Sequence, residues 1–191
     1  MAIRDDATRF LLIASTLIAS WLGMQAVHEL GHVLGAWATG AEVTRVVLHP
    51  LVISRTDVAE NHSPGVVVWA GPIVGAALPL AAWLLAALLK LSWAFLLRFF
   101  AGFCLVANGL YIGIGSFGRI GDCGEMLRSG SSAWQLWLFA VATVPLGLWL
   151  WHGQGRHFGL GNDAKPVTGS IVLASLLVCL ALVLGELVWS L

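Results

Sequence analysis

Apolar residues run along this chain in stretches long enough to cross a bilayer, separated by short polar connections. A hydrocarbon core of about 30 Å needs roughly 20 helical residues. Stretches of that length fall near Phe10 to Trp37, Val66 to Leu89, Trp93 to Phe117, Ala133 to Trp151 and Val167 to Leu191. The pattern predicts an all-α polytopic membrane protein with about five transmembrane helices. The first stretch is too long for a secretory signal and shows no small-residue cleavage site, so it reads as a retained helix. Its first half supplies a span, and its second half carries His28-Glu29-Leu30-Gly31-His32.

Between the first two spans the pattern changes. Val43 to Leu48 and Leu51 to Thr56 are rich in β-branched residues and flank His49-Pro50, which predicts a short β-hairpin-like insertion. An open strand edge there could take up an extended peptide by strand addition; a plain interfacial loop fits the periodicity as well. Small residues recur at helix-packing spacing in the pairs Gly31 and Gly35, Gly71 and Gly75, and Gly109 and Gly113, each letting two helix backbones approach closely. Pro72 removes a backbone donor and is expected to loosen the second helix.

Composition agrees with a lipid environment. Hydrophobic residues make up 59% of the chain and charged residues only 10%, against about a quarter charged in soluble domains; mean hydropathy is +0.88. The formal net charge is zero and the basic residues are dispersed, so nothing points to nucleic acid or a polybasic surface patch. Cys104, Cys123 and Cys179 have no metal-knuckle spacing and imply no disulfide framework.

The candidate chemistry lies in the pentapeptide. Positions four apart share a helix face, so His28 and His32 can present two imidazoles to one zinc ion, with Glu29 beside the water that zinc would polarise. Ionisable groups inside a transmembrane segment are costly and usually mark function; the plainer account is that they satisfy one another in a bundle interior. A hydrolytic zinc takes three protein ligands and keeps one open position. His49, Asp57, His62, Asp122, Glu125, His152 and His157 are candidates for the third. Alternating spans place the pentapeptide on the same side as the end of the third span, which favours Asp122 with Glu125 in reserve. His49 and His62 share that side, and His152 and His157 fall on the opposite one.

The order of His28-Glu29-Leu30-Gly31-His32, Gly71-Pro72, Asn108 and Gly121-Asp122 resembles the site-2 protease family of intramembrane zinc metallopeptidases, over roughly Gln25 to Arg128. The resemblance implies a three-helix core in which His28, His32 and Asp122 hold Zn2+, Glu29 acts as catalytic base, and Asn108 makes a polar contact to the substrate backbone or the reaction intermediate. Residues 1–191 would then form a single transmembrane metallopeptidase-like domain, with a core over 10–130 and additional helices over 133–191. Its expected partners are a transmembrane protein substrate and the lipid bilayer. The reading from another class is a non-proteolytic metal-binding membrane protein, a sensor or scaffold that keeps the site. Basic residues counted by alternate loops, with Arg4, Arg9, Lys90, Arg98, Arg156 and Lys165 against Arg45, Arg55, Arg119 and Arg128, favour a cytoplasmic amino terminus, whereas the resemblance implies the opposite orientation.

Overall fold

A computed structural model describes residues 2–190, with side chains from residue 6 onward. Its elements are α1 (Ala2–Thr39), β1 (Val43–Val47), β2 (Arg55–Val58), α2 (Pro64–Leu88), α3 (Ala94–Gly118), α4 (Gly121–Arg128), α5 (Ala133–Trp151), a 3₁₀ segment (Gln154–Phe158) and α6 (Gly169–Trp189). Five of the helices, all but α4, are long and apolar enough to cross a membrane, as the apolar pattern predicts. With 38 residues, α1 reaches about 57 Å at 1.5 Å per residue, well beyond a hydrocarbon core of about 30 Å.

Helices α1, α2 and α3 pack against one another; α5 lies on α3 and α6 lies on α1. The glycine pairs fix these contacts. A Cβ on Gly31 would fall on the Ala70 carbonyl oxygen and 2.7 Å from Gly71 Cα, and one on Gly35 would lie 2.7 Å from Ala70 Cβ. On α3, a Cβ on Gly109 would strike Thr143 Oγ1 and come within 2.8 Å of Val144 on α5. Polar side chains hold α6 in place: Ser15 and Ser175 hydroxyls lie 2.8 Å apart and Thr16 is 3.2 Å from Ser175, an interhelical hydrogen-bond group where lipid offers no competing partner.

Apolar clusters close the two ends of the bundle. Leu12, Phe158 and Val172 pack with Phe95 and Phe99 where α1 and α3 begin. Val68, Ile112, Cys123, Met126 and Leu136 pack where α3 ends, and this second cluster supports the side of the molecule that carries the pentapeptide. The tryptophans flanking α5, expected as interfacial anchors, divide their roles. Trp134, Trp137 and Trp149 are exposed; Trp137 also donates to Ser116 Oγ at 2.9 Å, and the half-buried Trp151 donates to the Phe99 carbonyl at 3.0 Å.

Three local expectations change. The hairpin is antiparallel, pairing Val46 with Thr56 and Val47 with Arg55, but its second strand starts at Arg55 and not at Leu51. The reason is that Leu51 N–H is taken by His49 Nδ1 and Ser54 N–H by Gln25 Oε1, so neither can join the ladder. The segment carrying Asp122 is the first turn of helix α4, not a loop. Helix α2 runs unbroken through Pro72 and Pro79.

Replacing Gly31 with Ala is expected to destabilise the fold by about 1 to 3 kcal/mol through overpacking. Gly185→Ala, on an exposed face of α6 where a new Cβ meets nothing within 4 Å, is expected to be neutral or stabilising. Unfolding of both variants in detergent reads the contrast.

Candidate metal centre

Hydrogen bonds place the Nδ1 proton of each histidine. Asn108 Nδ2 donates to the Cys104 carbonyl at 2.9 Å, so the Asn108 oxygen is left as an acceptor. His28 Nδ1 lies 2.6 Å from that oxygen and must therefore carry its proton there. His32 Nδ1 lies 2.9 Å from the Val67 carbonyl, again an acceptor only. A neutral imidazole held in this way presents Nε2 as its lone-pair atom, the arrangement in which outer partners fix the tautomer of a metal-ligating histidine.

The two Nε2 atoms face each other and a carboxylate. His28 Nε2 is 3.1 Å from His32 Nε2; Asp122 Oδ2 is 2.8 Å from the first and 3.4 Å from the second. Ligands about 2.0 to 2.1 Å from a tetrahedral zinc lie about 3.3 Å apart, so the triangle has nearly the edge lengths such an ion requires. His28 and His32 are 7% and 6% exposed. Three electron-rich atoms converging in a buried site can hold a metal ion, and these are the residues that meet in one potential metal-binding group among the described residues. Without a metal, burial alone would raise the Asp122 carboxyl, but hydrogen bonds from His28 and His32 and their charge when protonated outweigh that and hold it well below the usual carboxylate range.

Asp122 arrives by a tight reversal. Arg119 ends α3 in the left-handed region at φ 54°, and Gly121 follows at φ 55°. A Cβ on Gly121 would also lie 2.5 Å from the Tyr111 hydroxyl. Cys123 Sγ donates to the Tyr111 carbonyl at 3.3 Å, and Cys123 and Met126 are fully buried. One face of α4 is thereby pinned to the end of α3 while Asp122 is turned toward α1. The Asp122 N–H donates to Tyr111 Oη at 3.2 Å.

The floor of the site is α2. A Cβ on Gly71 would run into the His32 ring, and one on Gly75 would lie 3.0 Å from both amide atoms of Asn108. Asn108 is 1% exposed and its carboxamide already serves His28 and Cys104.

Glu29 is 3% exposed and outside the ligand triangle. Its two oxygens accept from Ser54 Oγ and Thr56 Oγ1, each at 2.7 Å, so the hairpin reaches the pentapeptide directly. The remaining candidates lie elsewhere. Glu125 pairs with Arg128, Asp57 with Arg55, and His49 Nδ1 accepts from Leu51 N–H. His62 and His152 are exposed, and His157 stacks on Phe95 at the other end of the bundle. Sequence reasoning did not single out Ser54, Thr56, Val67 or Tyr111. The signal for the first two was available: residues two apart in an extended segment point to the same side.

Compared with family models, curated proteins and solved structures, the chain shows no match in any of the three.

Gly71→Ala is expected to displace the His32 ring, and Asn108→Ala to free the His28 ring. Each should weaken metal binding by about 10- to 100-fold, the usual effect of losing an outer partner. Competition between the folded variants and a chromogenic chelator measures it.

Proposed function

We propose that this chain is a zinc-dependent intramembrane endopeptidase that cuts peptide bonds in or near a transmembrane segment of a membrane-protein substrate. The observation that carries the reading is Glu29. It is buried next to His28 yet takes no part in the ligand triangle, so holding a metal does not require it, whereas water-driven hydrolysis does.

Two imidazoles and one carboxylate form a donor set suited to zinc, and three protein donors leave a position for water. His28, His32 and Asp122 would hold the ion, which when bound supplies a Lewis acid that brings the pKa of a water towards about 7 and polarises a carbonyl. Asn108 and the Val67 carbonyl keep both imidazoles in the ligating tautomer. Glu29 takes the proton of the attacking water and later delivers it to the leaving amine. Ser54 and Thr56 each occupy one lone pair of its carboxylate, and a carboxylate has about four acceptor sites, so they aim the group and leave acceptor sites for a water. A substrate helix must unwind locally before cleavage, because its carbonyls are otherwise committed to intrahelical bonds.

The tight hold on Glu29 is also what a non-catalytic reading would rest on, with the carboxylate serving only to anchor the hairpin. Glu29→Gln separates the two. Zinc-loaded protein in detergent should cleave a transmembrane reporter peptide, and the Gln variant should lose about 100-fold or more of that rate while binding the same zinc. Undiminished cleavage by Glu29→Gln would overturn the catalytic assignment.

A further inference from the structure

We infer that Tyr111 is a further catalytic residue, donating its phenolic hydrogen to the oxyanion that develops on the scissile carbonyl; this rests on the peptidase reading above. When water adds to the carbonyl carbon, its proton passes to Glu29 and the carbonyl π electrons move onto oxygen. As the C–N bond breaks, those electrons re-form the carbonyl and the proton goes to the departing nitrogen. Between those events the oxygen carries a full negative charge in a site with little water, where a placed hydrogen-bond donor is most effective.

The donors around the triangle can be counted off. Asn108 Nδ2 gives one of its two hydrogens to the Cys104 carbonyl and is 1% exposed. Both imidazole Nδ1–H groups are committed to Asn108 and Val67. The Ser54 and Thr56 hydroxyls are committed to Glu29. The Asp122 N–H is committed to Tyr111 Oη at 3.2 Å. That last bond uses Tyr111 as an acceptor, so its own proton stays available, and no described residue accepts it. Tyr111 also sits against the site: its ring meets the His28 ring edge to face at 6.0 Å, and it shares a helix face with Asn108 three residues earlier. It is 43% exposed, more open than the buried His28, His32 and Asn108, so a substrate can reach it. The chain has one tyrosine, and no second phenol can take its place.

The test compares wild type with Tyr111→Phe, both zinc-loaded and with unfolding temperature checked. Two probes share one apolar peptide sequence: a phosphinic analogue that carries a tetrahedral anionic group, and a reduced-bond analogue that lacks the oxygen. The Phe variant should bind the phosphinic peptide about 100-fold more weakly and lose a similar factor in kcat at unchanged KM. Its zinc content and its affinity for the reduced peptide should stay as in wild type. Phosphinic affinity and kcat within about twofold of wild type would overturn the role. A loss of zinc that accounts for the lost rate would overturn it too, leaving Tyr111 as a support for Asp122. A zinc-loaded wild type that neither cleaves nor binds the phosphinic peptide would overturn the peptidase reading itself, a failure visible before the variant is compared.

Discussion

The close approach of α1 and α2 is the constraint on which the site depends. Gly31 and Gly35 bring the α1 backbone onto Ala70 and Gly71 of α2. At that separation Gly71 is the surface on which the His32 ring rests, and Gly75 is the surface under Asn108. The same contact delivers the Val67 carbonyl to His32 Nδ1. A pair of small-residue motifs that would otherwise only let helices pack therefore also sets the position of the His32 ring and the partner of its Nδ1. A wider crossing would leave the buried His32 without its Val67 partner, and buried polar groups without partners are costly, most of all away from water.

From that contact the chemistry follows in order. With Nδ1 protons fixed, the two Nε2 atoms converge on Asp122, where a metal ion or a proton can be shared among them. The third donor comes from a different part of the chain, through a reversal at Arg119 and Gly121 and a short helix pinned by Cys123 and Met126. The hairpin supplies the last element, two hydroxyls on Glu29. Trp189 on α6 donates to the Val46 carbonyl of β1 at 2.9 Å, so the outermost helix also bears on the element that holds the proposed base.

Much of this was legible in the sequence, for definite reasons. Membrane-length apolar stretches declare themselves because lipid demands them along a whole span. The i, i+4 spacing of His28 and His32 declares itself because helix geometry is fixed. Asp122 was reached from alternation of spans, but Gly121-Asp122-Cys123-Gly124 has the composition of a turn, and that hid the helix made by tertiary packing of Cys123 and Met126. Pro72 carries a strong local preference against helix, yet the helix persists where packing on α1 and α3 holds it. Asn108 has the type of a substrate-binding residue, and only the fold reveals that its carboxamide bonds to Cys104 and His28. Tyr111 and the Val67 carbonyl have no local signature at all, since their relation to the site is made by helix crossings distant in sequence.

The central claim is a zinc ion held by His28, His32 and Asp122. X-ray absorption at the zinc edge, on detergent-purified protein with zinc counted per chain, tests it most directly. One zinc per chain is expected, with two imidazole nitrogens at about 2.0 to 2.1 Å and oxygen donors at about 2.0 to 2.2 Å, and with one oxygen donor replaced or the ion lost in Asp122→Ala. Protein that takes up no zinc after resupply, or a spectrum unchanged by the Asp122 substitution, would contradict it.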